Sequence, residues 1–279
     1  MTDAPVADVA SWRAQPITVG HANGTRADAT WRIAVESPVA ITFNGLPWTV
    51  MMATPSNLED LAVGLALTER VLRDPNAVVG IDLSTYLQDV SVNMIVQESA
   101  LDLEAVRART LASSTACGLC GIASLAQWHQ RAGEAVPRTA ITEAAIRSSV
   151  LALPAHQPLN AQTRSVHAAA WCQPNGAISL VREDVGRHNA LDKLIGALAR
   201  ASRLAEPGFI VMSSRCSYEL VYKAVTANTQ LLATLSAPTS LALTWARSLA
   251  LPLACVLPER DAGPSIVHFP LDTPNTGLT

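Results

Sequence analysis

A chain of 279 residues can form one large domain or two smaller ones with a sizeable core, and 49% apolar against 15% charged residues excludes disorder. Its 20 basic and 23 acidic residues leave a net charge of −3, so no basic excess recruits nucleic acid, and 4% aromatics are too few for a base-stacking platform. No apolar run nears the ~20 residues that span a bilayer, Met1 to Gly20 lacks the pattern of a secretory leader, and five cysteines are too few for a disulfide scaffold; a cytoplasmic protein that engages neither membrane nor nucleic acid is expected.

Residues 1–20 read as a loose tail. Order is expected to begin near Trp31, where Trp31, Ile33 and Val35 alternate with polar neighbours, as do Ile41 and Phe43. Asn44-Gly45 is the strongest short hairpin signal, and a return strand follows through Trp48, Val50 and Met52. Ser56 and Glu59 stand at capping-box spacing, which predicts a helix with Leu58, Leu61, Ala62, Leu65 and Val71 turned inward, ended by Asp74-Pro75. Val90, Val92, Met94 and Val96 alternate as another strand. Residues 21–112 therefore read as a small α+β domain.

A thiol loop and connector occupy 113–135, with a helix predicted from Ile122 to Arg131. From 136 to 279 a second domain is expected. It opens with a helix from Thr142 to Leu153, capped by Thr142, and Pro154 and Pro158 then break the chain. Val166 to Trp171 and Ala177 to Val181 pair across Pro174-Asn175-Gly176. A polar loop, Arg182 to Arg187, leads into a helix from about His188 to Arg203. Strand, polar loop and helix then recur: Phe209 to Met212 before Tyr218 to Thr229, and Leu231 to Leu235 before Ser240 to Leu249. Leu253 to Leu257 is the last clear strand. This rhythm predicts an α/β layer with largely parallel strands, whose ligand crevice is lined by the loops after the strands.

Cys117-Gly118-Leu119-Cys120-Gly121, preceded by small and hydroxyl residues, places two thiols three positions apart in a stretch composed for a loop. Spacing leaves several readings open: half of a zinc site completed from elsewhere, a dithiol redox pair, a plain structural loop, or a carrier in which a thiolate accepts sulfane sulfur as a persulfide. Cys172, Cys216 and Cys255 stand singly and read as small buried apolar residues. His167 in His167-Ala168-Ala169 lacks the glutamate of the zinc deaminase H-x-E signature, since Ala169 holds that position, which argues against deaminase chemistry. It reads either as a packed histidine or as a ligand contact. In Glu183-Asp184-Val185-Gly186-Arg187-His188-Asn189, Gly186 permits close backbone approach at a helix start, and Arg187, His188 and Lys193 add positive charge suited to an anion. Ser213-Ser214-Arg215 and Ser236-Ala237-Pro238-Thr239-Ser240 repeat the theme at the next two strand ends.

Together these segments resemble the FdhD family of formate dehydrogenase accessory sulfurtransferases. The resemblance runs from about residue 20 to 260. It is carried by Asn44-Gly45, Met51-Met52-Ala53-Thr54-Pro55, Asn57-Leu58-Glu59-Asp60-Leu61, the thiol pair, Val166-His167-Ala168-Ala169, the specific run Arg182 to Lys193, Ser213-Ser214-Arg215 and Ser236 to Ser240. It implies a small N-terminal domain followed by a cytidine-deaminase-like α/β domain, and a homodimer. It implies that sulfur is taken from a cysteine desulfurase and passed to the bis-guanine-dinucleotide molybdenum cofactor that formate dehydrogenase needs, with no permanently held metal. Cys117 would carry the persulfide with Cys120 as partner. Cys255, Val256, Leu257, Pro258, Glu259 and Arg260 would form the cofactor-binding stretch, joined by His167, Gly186, Arg187 and Arg215. A non-catalytic cofactor chaperone, or a zinc or dithiol-redox protein, are the competing readings. Two departures stand out: Arg164-Ser165 replaces a pair of glycines, and Cys216 replaces alanine after Arg215. The tail from Asp261 to Thr279 also differs and reads as disordered.

Overall fold

The computed structural model describes residues 9–86, 89–111, 140–257 and 263–271. Among the described residues, helices Leu58–Thr68 (α1), Leu103–Leu111 (α2), Glu143–Ala152 (α3), Pro158–Thr163 (α4), Arg187–Arg200 (α5), Tyr218–Thr226 (α6) and Ser240–Ser248 (α7) are interleaved with twelve strands. Trp12–Gly20 (β1) and Arg26–Ala34 (β2) form an antiparallel ribbon. Ser37–Phe43 (β3), Leu46–Ala53 (β4), Val78–Tyr86 (β5) and Asp89–Val96 (β6) form a four-stranded sheet in the order β4-β3-β6-β5. His167–Cys172 (β7), Ile178–Asp184 (β8), Phe209–Met212 (β9), Leu232–Thr234 (β10), Leu253–Leu257 (β11) and Ser265–Phe269 (β12) form a six-stranded sheet in the order β12-β11-β10-β9-β7-β8.

Several elements follow the sequence closely. Asn44 and Gly45 take φ of 49° and 80° and turn β3 into β4, the left-handed pair that a two-residue hairpin demands. Thr142 caps α3 by accepting the Ala145 N–H at 3.2 Å. Strand, loop and helix recur in the second half as expected.

Other expectations are corrected. The loose tail is β1 over Trp12–Gly20, paired with β2 along its length and anchored where Arg32 lies 4.4 Å over the Trp12 ring and donates to Gln162 at 2.7 Å. The capping box at Ser56 and Glu59 does not form. Asn57 is the N-cap with φ 52° and no side-chain cap, and Glu59 instead lies 3.3 Å from Arg200. That helix ends at Thr68, before Asp74-Pro75, where Arg70 turns left-handed at φ 58°. Pro158 opens α4 rather than breaking the chain, since proline suits a first helical turn. β8 continues through Asp184 into the stretch expected as loop. The parallel set is limited to β9, β10 and β11, with β7 antiparallel to β9. Within the tail expected to be disordered, β12 pairs antiparallel with β11.

The layers explain the burial. α5, α6 and α7 cover one face of the six-stranded sheet through residues such as Leu191, Leu220 and Trp245, while Ile146 of α3 packs with Ala168, Ala170 and Val211 on the other. α1 lies between α5 and the inward residues of the four-stranded sheet (Val39, Ile41, Val92 and Met94). It is therefore enclosed on nearly every side, which is why its sequence is apolar almost all round. The α1–α5 crossing is backbone on backbone: a Cβ at Gly64 would sit 1.8 Å from the Asp192 carbonyl oxygen, and one at Gly196 1.9 Å from that of Asp60.

Candidate functional site

The strand ends bring the polar loops of the second half together. Met212 is level with Thr234, and Thr234 with Cys255. β7 runs the opposite way, so its first residue, His167, lies beyond Met212 and opposite Asp184 at the end of β8. Ser213 fixes this corner: its N–H donates to the Ala168 carbonyl at 3.0 Å and its hydroxyl accepts the Ala168 N–H at 2.8 Å. α5, α6 and α7 start just past these ends, with N-caps Gly186, Ser217 and Thr239. Thr239 caps with its own hydroxyl; Gly186 and Ser217 provide no side-chain cap, which leaves first-turn N–H groups for an anion.

Cationic side chains rim this end. Arg187 is half-buried. Burial, and then repulsion from Arg215, lower its pKa against the pull of Glu219, and its Nε has no partner among the described residues. Arg215 is exposed. His167 is half-buried, and burial, followed by the charges of Arg187 and His188, holds its pKa below the ordinary histidine value. His188 Nε2 lies 2.7 Å from Glu219 Oε2 and 3.3 Å from Ser217 Oγ, and Ser217 donates to the same carboxylate at 3.2 Å. Burial pushes Glu219 up, but the hydrogen bond and charge of His188 outweigh it, and the carboxyl titrates below its usual range. Among the described residues, Arg187, Arg215 and His188 face one carboxylate, Glu219, which leaves this part of the rim short of negative charge.

The rest of the Arg182–Lys193 run does different work. The Asp184 carboxylate accepts from Thr54 N at 3.0 Å, Gly186 N at 2.8 Å, Asn189 Nδ2 at 3.0 Å and Lys193 Nζ at 2.6 Å. Lys193 also donates to the Thr54 carbonyl, Asn189 to that of Met52, and Val185 N–H to the Thr54 hydroxyl. Arg182 and Arg200 hold Asp60 at 2.8 and 2.6 Å, and Asp192 takes Lys223 and Thr68. These contacts latch the β4–α1 turn and α1 onto β8 and α5. Lys193, expected to add charge to the crevice, is 0% exposed and committed to Asp184. Gly186 has an extended backbone; its missing side chain makes room for Asn189, whose amide would lie 3.0 Å from a Cβ there.

His167, Gly186, Arg187 and Arg215 are thus brought to one end of the sheet. Cys255 is buried, its thiol raised by burial, and Val256 packs in the core on the opposite sheet face, so neither side chain opens on the crevice; Leu257 is exposed at the strand end. Cys117, Cys120, Pro258, Glu259 and Arg260 lie outside the described residues. Cys216 is buried and its thiol pushed up to about 12, which fits its reading as a small buried apolar residue. Ser217, Glu219 and the Thr54–Asp60 partners went unread in the sequence. An acidic residue two positions after an N-cap serine reads only as helix-dipole complement until His188 is placed beside it.

The FdhD/NarQ family model matches residues 34–263. The sulfur carrier protein FdhD of Xanthomonas campestris pv. campestris (strain B100) is 44% identical over 250 residues, covering 86% of each chain. Its namesake in Chromobacterium violaceum is 44% identical over 238 residues, covering 84% of this chain and 88% of that relative. The fold matches the crystal structure of a formate dehydrogenase accessory protein from Desulfotalea psychrophila with a TM-score of 0.69 at 21% identity, over 94% of this chain and 98% of the other.

Proposed function

The chain belongs to the FdhD/NarQ family, and from that premise we propose that it is a sulfurtransferase serving formate dehydrogenase. Cys117 accepts sulfur from a cysteine desulfurase. Its thiolate attacks the terminal sulfur of the donor persulfide, one sulfur–sulfur bond forms as another breaks, and the desulfurase cysteine leaves as thiolate. Cys120 is the partner thiol. The acceptor substrate is the bis-guanine-dinucleotide molybdenum cofactor, whose phosphates match the rim of Arg187, Arg215 and the α5 and α6 starts. The single observation that supports this most is Arg187: a half-buried guanidinium pressed by a second arginine, its Nε without a partner among the described residues, is short of an anion. Pro258, Glu259 and Arg260 follow directly on β11 and extend that rim in the proposal.

The strand order β8-β7-β9-β10-β11, with β7 antiparallel to β9, supports a cytidine-deaminase-like scaffold whose hydrolytic glutamate is replaced by Ala169. A cytoplasmic homodimer completes the reading. Among the described residues no helix is long and apolar enough to cross a membrane.

After incubation with a desulfurase and cysteine, mass spectrometry is expected to show one added sulfur on the Cys117–Cys120 peptide. Cys117→Ala is expected to leave formate dehydrogenase inactive. If the Cys117→Ala, Cys120→Ala double variant still matures formate dehydrogenase fully, the protein is a cofactor chaperone and not a sulfur carrier. Guanosine diphosphate binding, weakened by Arg260→Ala, tests the nucleotide end of the proposal independently.

A further inference from the structure

A cavity of about 260 Å³ lies between the Thr54–Asn57 turn, the start of α4 and the edge strand β8. Its charged group is Glu183. Successive residues of a strand face opposite ways, so Asp184 enters the latch while Glu183 turns to the other sheet face. The Glu183 carboxylate accepts the Leu159 N–H at 2.9 Å on one oxygen and the Asn160 N–H at 2.8 Å on the other. Each oxygen keeps a further acceptor position. Glu183 is half-buried and makes no ion pair among the described residues, unlike Arg182, Asp184, Asp192 and Lys193 of the same run.

The rest of the wall is complementary to a cation. Ser11, Ser56, Asn57 and His156 line the cavity, all with side chains that carry acceptor atoms, and among the described residues no lysine or arginine does. Val181 and Leu159 give it an apolar side. Asn57 holds a left-handed backbone at φ 52° and does not use its side chain to cap α1. A hydrocarbon stem against Val181 and Leu159 with a multi-donor cationic head on Glu183 matches this lining in polarity and charge.

We propose that this cavity is a binding pocket for a cationic side chain, a guanidinium or ammonium on an alkyl stem, presented by an arginine or lysine of a partner polypeptide. None of the described residues assigned to the crevice lines this pocket.

The test uses the full-length protein at pH 8 and calorimetric or NMR titration with acetyl-arginine-methylamide, its uncharged citrulline counterpart and free arginine. Saturable binding of the arginine probe, at least about tenfold tighter than citrulline, is expected. It should be lost in Glu183→Gln and also in Ser56→Leu, which fills the cavity from the opposite wall and spares the hydrogen bonds of Glu183. Tighter binding of the capped probe than of free arginine assigns the pocket to a polypeptide; tighter binding of free arginine overturns that part. Equal binding of arginine and citrulline probes, binding to neither, or binding unchanged in a folded Ser56→Leu protein overturns the proposal. Unaltered guanosine diphosphate binding in Ser56→Leu separates this pocket from the crevice.

Discussion

The charged residues of the latch and those of the rim come partly from one stretch of sequence, yet they are in opposite conditions. Asp184 and Lys193 are both 0% exposed, and the Asp184 oxygens are saturated by donors from three elements. Arg187 and His188, in the same helix as Lys193, stand half-buried at the rim, where among the described residues the positive charge has one carboxylate, Glu219, to answer it. Residue type does not distinguish the two groups; internal satisfaction does. A closed set of partners is a structural device, and a set with charge to spare is waiting for a ligand.

That contrast can be broken most severely at the latch. Lys193→Met leaves Asp184 buried without its counter-charge and is expected to cost about 3 to 5 kcal/mol, read as a shift in the urea midpoint. Gly64→Ala forces a methyl group into the α5 backbone and is expected to cost about 3 kcal/mol, with loss of soluble protein as the cruder readout. At the rim the pattern reverses. Arg187→Ala is expected to leave stability within about 1 kcal/mol while weakening guanosine diphosphate by at least about tenfold. A thermal melt that fell as far as that of Lys193→Met would erase the distinction between the two groups.

Acid sharpens the same comparison. His167 has a lowered pKa in the fold, so between the ordinary value of 6.5 and its folded value the unfolded chain binds the extra proton. Its contribution is constant above about pH 6.5 and is lost as pH falls below that, at no more than about 1.4 kcal/mol per pH unit. His167→Gln should flatten this part of the stability–pH curve; an unchanged slope would show that His167 is not held neutral. The smallest effect is expected at Arg164, which ends α4 with a left-handed backbone at φ 56°. Arg164→Gly relieves a left-handed side-chain clash but loses the contact 5.7 Å over Trp31, for a net gain of about 0.5 kcal/mol in chemical denaturation.

Local patterns were legible where local physics decides. Asn44-Gly45, the Thr142 cap and the recurring strand, loop and helix units all depend on neighbours within a few positions. The ribbon strand β1 was missed because its apolar residues, Ile17 and Val19, alternate over too short a span, and its partner lies beyond a turn at His21–Thr25. The strand β12 was missed for a similar reason: it exists by pairing with β11. The Ser56–Glu59 box failed because long-range partners took Glu59 and Asp60. At the site, the loops and their arginines could be read, but the fate of each charge could not. Thr54 and Asp184 are 130 positions apart, and no periodicity announces that Lys193 meets both.

The meeting of Gly64 and Gly196 sets the tolerance of the whole assembly. Sliding α1 along α5 by one residue would bring Val63 or Leu65 to a spot that has no room for even a methyl group. The two helices therefore mate in one position, like a jig and its workpiece. The four-stranded sheet and α1 thereby act as a template that sets where Arg187 and His188 of α5 stand.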